Sequence, residues 1–194
     1  MNRRKFVKSS VLGAAVAAAG AHAQPAASTA APSGPLPAPK ETVPLGKIGG
    51  VEFSRLMLGG NLIDGYAHSR DLAYVAQLSK RYNTLAKVME TLEIAETHGV
   101  NVINNWVKDG IPHLQEHWKR GGKMKWIAQA RVNGANGFEQ FEQAADLGAA
   151  AIHVTGDVAD ALVRQGRFDT LARILEVVRA HKLPAGIGAH GLHT

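Results

Sequence analysis

The chain has 194 residues, with 22 Lys and Arg against 16 Asp and Glu, and no cysteine. Without cysteine there is no disulfide framework, no thiol nucleophile and no thiolate metal site. The positive excess is not gathered into a basic stripe with interleaved aromatics, so the composition gives no support to nucleic-acid binding.

Residues 1–23 read as an export signal: a basic start, an apolar stretch over 11–21, and the small-residue cleavage pattern Ala21-His22-Ala23. The apolar part is too short to be a transmembrane helix, and no stable membrane span is expected after cleavage. Asn2-Arg3-Arg4-Lys5-Phe6-Val7-Lys8 resembles a twin-arginine signal. That resemblance implies passage through the twin-arginine export machinery in a folded state and a periplasmic location. Residues 24–42, mostly Pro, Ala and Ser, read as a disordered tether with polyproline II character. Arg3, Arg4, Lys5 and Lys8 leave with the signal, so the mature chain carries 18 basic against 16 acidic residues, a balance of +2.

Residues 43–194 are expected to form one folded unit. Two β-prone pieces meet at Gly49-Gly50, a hairpin signal, and the second runs on through Leu56-Met57-Leu58 to Gly59-Gly60-Asn61. That run is apolar on both faces, as in a strand of a parallel sheet buried on both sides. The segment 62–83 is long enough to be functional or to hold a short helix. Apolar residues at 85, 88, 89, 92 and 95 predict a helix over 84–98, with Thr84 as N-cap and Gly99 as its stop. A strand is expected at 100–106, then a short helix beginning at Pro112 and closed by Gly121-Gly122. A strand at 124–132, a helix at 137–147 and a strand at 149–155 follow. Residues 159–183 read as helix, in two pieces around Gly166, with Phe168, Leu171, Ile174, Leu175 and Val178 turned inward. A last strand is expected at 185–189.

Strands alternating with helices of this length predict right-handed βαβ units and a parallel sheet. The run Gly59-Gly60-Asn61-Leu62-Ile63-Asp64-Gly65 lacks the GxGxxG spacing of a dinucleotide-binding turn. A hairpin ahead of the first parallel strand suits the floor of a closed barrel. The expected fold is therefore α/β, a TIM-type (β/α) barrel with about the first five βα units present, where a full barrel takes about 250 residues. Such a partial barrel leaves strand edges unpaired and open to self-association.

Leu45-Gly46-Lys47, Gly49-Gly50-Val51, Phe53-Ser54-Arg55-Leu56 and Leu58-Gly59-Gly60 resemble the amino-terminal hairpin and first strand of aldo/keto reductases. The resemblance extends loosely over 43–194, as a divergent exported branch of that superfamily. It implies an NADP-dependent oxidoreductase acting on a small carbonyl compound or sugar. Members carry an Asp after the second strand, a Tyr a few residues on, a Lys after the third strand and a His after the fourth. Asn104 falls where the Asp should be and Asp109 near the Tyr. Gln129 or Ala130 takes the Lys position, and His153 and Thr155 are what the fourth strand offers. The usual tetrad is not recognisable, so ketone reduction lacks a visible proton donor. The loops that hold the cofactor phosphate in that family come later in the barrel than these five units.

In a TIM barrel the chemistry sits at the carboxyl ends of the strands. That rule selects Asn61, Asn104, Asn105, Gln129, Arg131, His153, Thr155, Asp157 and His190. His153 and Asn104 are the catalytic candidates; Asn61, Asn105, Gln129, Arg131, Thr155 and His190 are candidates to bind a small polar substrate. Amides both donate and accept, and Arg grips an anion with two parallel bonds, a set suited to sugar hydroxyls or a carboxylate. Asp157 also reads as a helix N-cap, and His153, among apolar neighbours, equally as a hydrogen-bonded interior residue. His190 and His193 have no nearby carboxylate to complete a metal set. His113-Leu114-Gln115-Glu116-His117 matches the inverted zincin pattern, yet a barrel puts that helix on its outer ring, away from the site. Lys119-Arg120 with Lys123 and Lys125 reads as a solvated face. Two further functions stay open: a sugar isomerase or epimerase using His and polar amides, and a non-catalytic product.

Overall fold

The computed structural model describes residues 42–67, 72, 74–134, 137–192 and 194. The export signal, all of the tether but Thr42, and His68 and His193 lie outside them.

Strand β1 (Leu45–Ile48) pairs antiparallel with β2 (Val51–Ser54). The two turn residues, Gly49 and Gly50, have φ of 56° and 88°, the positive values that a two-residue type I′ hairpin requires. A Cβ on Gly49 would lie 2.7 Å from Pro184 Cγ, so the hairpin tip presses on the segment that leads into the last strand. After Ser54 the chain bends: Arg55 N donates to Pro44 O at 2.8 Å and Ser54 Oγ to Leu56 O at 2.6 Å. The continuous strand expected through Leu56-Met57-Leu58 is therefore broken. Leu56 and Met57 are exposed, and the sheet starts with a separate two-residue strand, β3 (Leu58–Gly59).

The remaining elements are α1 (Tyr74–Tyr82), α2 (Leu85–Thr97), β4 (Val102–Trp106), α3 (Val107–Lys119), β5 (Lys125–Ala130), α4 (Glu139–Asp146), β6 (Ala151–Val154), α5 (Gly156–Arg164), α6 (Phe168–Ala180) and β7 (Ala185–Ile187). Thr84 caps α2, its hydroxyl accepting from Lys87 N at 3.4 Å, and Gly99 follows the helix at φ 82°. Helix α3 starts directly off β4, five residues before Pro112. The proline removes one helical bond, to the Lys108 carbonyl, on a solvent-exposed side of the helix. The break between α5 and α6 falls at Gly166, φ 68°. Leu171, Ile174 and Val178 turn inward, whereas Phe168, in the first turn of α6, is exposed.

Strands β3-β4-β5-β6-β7 form one parallel sheet in that order. Right-handed crossovers that always step in the same direction leave their helices on the same face. On that face Ile103, Trp126, Ala128, Ile152 and Val154 join Met89, Leu92, Leu114, Phe141 and Ile174 in the main core. A smaller cluster lies on the other face, where Phe53 of β2 packs with Val102, Ile127 and Ala151. The hairpin thus covers that face toward the amino ends of the strands. The carboxyl ends are left for other work.

Candidate functional site

Successive side chains on a strand point to opposite faces, and the pairing register carries that parity across the sheet. One row runs Gly59–Asn104–Ile127–Ala151, and the next, toward the carboxyl ends, runs Trp106–Gln129–His153–Gly186. These rows stand opposite the helical core. They bring Asn104, Gln129 and His153 together and add Trp106.

His153 Nε2 lies 3.1 Å from Asn104 Oδ1, and its Nδ1 lies 3.0 Å from Val154 O. A main-chain carbonyl can only accept, so a neutral ring carries its hydrogen on Nδ1 and leaves a lone pair on Nε2. Asn104 then serves that lone pair with the amide turned to present its NH2. Burial pushes the imidazole below its ordinary value, more strongly than the bond to the Val154 carbonyl raises it. At neutral pH His153 is an uncharged proton acceptor.

This has a stability consequence with a definite sign. The folded imidazole titrates below the unfolded value of about 6.5, so the unfolded state binds the extra proton first. The stabilising contribution is complete above that value and is lost as pH falls through the folded pKa. A pH series of urea midpoints on wild type and His153→Gln is expected to show a loss below about pH 6.5 that is smaller in the variant.

Gln129 Nε2 is 3.5 Å from Asn104 O, at the limit of a hydrogen bond, and is held weakly. Trp106 is fixed more firmly. Its Nε1 donates to Asn61 Oδ1 at 3.3 Å. The Tyr66 ring lies 5.7 Å away at 44°, and the Arg131 guanidinium sits 5.3 Å from its centroid. Arg131 is also ion-paired with Asp157. The Asp157 carboxyl stays below its usual range: burial alone would raise it, but the Thr155 hydroxyl, the Arg131 charge and the Val158 N–H outweigh that. Tyr66 Oη donates to Asp109 Oδ2 at 2.7 Å. That bond, then burial, then the charges of Asp109 and Asp64 push the phenol up, so it stays protonated. An apolar pocket of about 180 Å³ adjoins His153 on the hairpin side, lined by Ile48, Ile127, Ala151, Pro184 and Gly186.

The other predicted residues lie elsewhere. Asn105 faces the helices, fully buried; a Cβ at Gly60 or at Gly110 would collide with it, so it packs where β3, β4 and α3 meet. Thr155 is buried at the N-cap position of α5, and Asp157, expected to be that cap, is the second residue of the helix, in its first turn. His190 Nδ1 bonds to Asp160 Oδ2 at 2.9 Å, and Thr194 Oγ1 donates to the same carboxylate at 2.6 Å. These two contacts, the threonine's first, hold the Asp160 carboxyl below its usual range and tie the end of the chain to α5. In α3 the two histidines of the zincin-like motif face different carboxylates: His113 Nδ1 is 3.8 Å from Asp64 Oδ1, and His117 Nε2 is 3.2 Å from Glu96 Oε2. Glu116 pairs with Arg120 at 2.8 Å. Among the described residues no three His, Asp or Glu side chains converge on a metal position.

Sequence reasoning missed Trp106, Tyr66 and Asp109 as site residues. Trp106 was within reach, because it shares the parity of Asn104. The Tyr66–Asp109 bond spans 43 residues and has no local signal.

The cations on the strands of this face do not suit the phosphates of a nicotinamide cofactor. Arg131 is taken by Asp157 and Trp106, and Lys125 Nζ donates to Glu52 O at 2.7 Å. No family model, no curated protein and no solved structure matches the chain. Among the described residues no helix is long and apolar enough to cross a membrane.

Proposed function

We propose that the sheet is part of a TIM-type (β/α) barrel whose inward face binds a small polar organic molecule, a sugar or carbonyl compound, in the periplasm that the N-terminal sequence implies. The consecutive parallel strand order and the hairpin over the amino ends of the strands support the barrel. The reaction we assign is proton transfer next to a carbonyl, as in a sugar isomerase or epimerase. The observation that carries it is the half-buried, neutral His153, its Nε2 lone pair held against Asn104 on the same face as Gln129 and Trp106.

In this reading the Trp106 ring is the platform on which the apolar face of a sugar or carbonyl compound lies, Gln129 holds its oxygens, and the bound compound displaces the Asn104 amide from His153 Nε2, which frees the lone pair. His153 Nε2 takes the proton from the carbon beside the carbonyl. The electron pair of the broken C–H bond forms the enolate double bond, and charge passes to the carbonyl oxygen, which the Gln129 amide stabilises. The imidazolium then returns the proton: in an isomerisation to the former carbonyl carbon, as the hydroxyl proton on the deprotonated carbon passes to the former carbonyl oxygen and a new carbonyl forms there; in an epimerisation to the opposite face of the same carbon, after the enolate has turned over beside the ring. General acid–base steps of this kind contribute about 10²- to 10⁴-fold.

An oxidoreductase is the second reading. The resemblance of the hairpin and first strand to aldo/keto reductases favours it, together with the packing of Phe53 beneath the sheet. Against it stand the Tyr66 proton, committed to Asp109, and the engaged cations, so no hydride step is assigned.

The three tryptophans provide the test of where a ligand lands. On titration with aldoses, ketoses or small hydroxy-carbonyl compounds, the Trp106 indole N–H resonance is expected to shift. Those of Trp118 and Trp126, bonded to the Met124 and Asn105 carbonyls, are expected to stay in place. A shift at Trp126 without one at Trp106 would remove the ligand from this face.

A further inference from the structure

The two rows on the site face are not filled evenly. On β4 they carry Asn104 and Trp106, but on β6 and β7 they carry Ala151 and Gly186. The space beside these two small residues is the apolar pocket of about 180 Å³ that adjoins His153. Its wall toward the hairpin is held from both sides: the Gly49 turn presses on Pro184, and Ile152 N donates to Pro184 O at 3.0 Å. Ile48, at the rim, is 48% exposed, so the pocket is reached from solvent past the hairpin.

The chemistry of the pocket is one-sided. His153 is the only lining residue whose side chain carries polar atoms, and both ring nitrogens are engaged, with the Val154 carbonyl and with Asn104 Oδ1. A hydroxyl placed there would give up its bonds to water without replacement. An apolar group would displace only water that has few partners. A cavity of about 150 Å³ lined by apolar side chains is large enough to take benzene.

We infer that this pocket takes an apolar arm about the size of a phenyl ring, carried by the compound whose carbonyl lies at His153. The inference rests on the proton-transfer reading of the same face. It narrows the substrate class to a compound with a hydroxy-carbonyl end, held by Trp106 and Gln129, and an apolar end, held between Ile48 and Ile127. The His153 ring stands between the two ends. A simple aldose, oxygenated at every carbon, has nothing to place in the pocket.

The test uses the full chain, labelled at its isoleucine methyls, and three probes: hydroxyacetone, benzyl hydroxymethyl ketone and benzene. The two ketones share the reacting end and differ by a phenyl ring. The benzyl compound is expected to bind about 10- to 100-fold more tightly. It should move the Trp106 indole N–H, as hydroxyacetone does, and the methyls of Ile48 and Ile127 as well. Benzene should move those methyls alone. Ile103, buried in the main core on the helical face, is the control that stays in place. Ala151→Leu fills the pocket and is expected to abolish the difference between the ketones. Ile48→Ala, at the exposed rim where the fold tolerates it, is expected to reduce that difference several-fold. Equal affinity for the two ketones, with Trp106 moved by both and Ile48 and Ile127 by neither, overturns the inference and leaves the proton-transfer face standing. Movement of Ile48 and Ile127 by benzene and the benzyl ketone, while neither ketone moves Trp106, overturns the reading of the face and the inference with it. Methyls silent toward benzene would mean a pocket already closed, by a second copy of the chain or by its own side chains, and would overturn the inference as well.

Discussion

Replacing His153 with Gln is expected to slow exchange of a ligand's carbon-bound hydrogen by about 10²- to 10⁴-fold while changing ligand affinity by no more than about threefold. Gln keeps a polar side chain of similar reach on the same row, so the contacts from Trp106 and Gln129 survive. What it lacks is a lone pair that can accept a proton from carbon. The same substitution separates this role from a structural one. If His153 merely satisfied Asn104 and the Val154 carbonyl, its loss would lower thermal stability and affinity together and leave no selective effect on exchange. Asn104→Ala is expected to fall between: the imidazole remains but is no longer held, so the rate drops and the pH profile of the rate moves.

Replacing Trp126 with Ala is expected to destabilise the folded unit by about 3–5 kcal/mol. Trp126 is the largest fully buried side chain, on the middle strand of the five, and it belongs to the main core between Ile103 of β4 and the helices. Its indole N–H also donates to Asn105 O at 3.3 Å, so truncation leaves a void and removes that bond as well. For a unit of this size each kcal/mol shifts Tm by about 2–4 °C, so a fall of roughly 10 °C is expected in a thermal melt. Trp118, only half-buried, serves as the control, and Trp118→Ala should cost clearly less. A Trp126→Ala chain that melts within a degree or two of wild type would mean that the helices and the sheet are not joined through this core.

The layout of the sheet was legible because its signals are local. Runs such as Lys125–Ala130 and Ala151–Val154 end where polar residues begin, and the helices between the strands carry their apolar stripes at regular spacing. The failures have physical causes. Leu56 and Met57 read as a buried strand by composition, but hydrogen bonds from Arg55 and Ser54 turn the chain out of register. Helix α1 could be suspected only as a possibility within a long loop, because its apolar residues have nothing in the described chain to pack against. Phe168 continues an inward spacing that the core does not extend to meet. At the site, the strand-end rule picked out Asn104, Gln129 and His153, but it does not tell one face of a strand from the other. Parity does. Asn104 and Asn105 are adjacent and chemically alike, yet one joins His153 and the other is sealed between Gly60 and Gly110. Tyr66 and Asp109 meet only because β3 and β4 are neighbours, and no local spacing announces that.

The most direct test of the account is solvent-hydrogen exchange. The protein is incubated in heavy water with the compounds that shift Trp106, and the carbon beside their carbonyl is followed by NMR. The account predicts deuterium at that carbon, dependent on protein and lost with His153→Gln. A compound that shifts the Trp106 indole and yet never takes up deuterium would contradict it, leaving a face that binds but moves no proton.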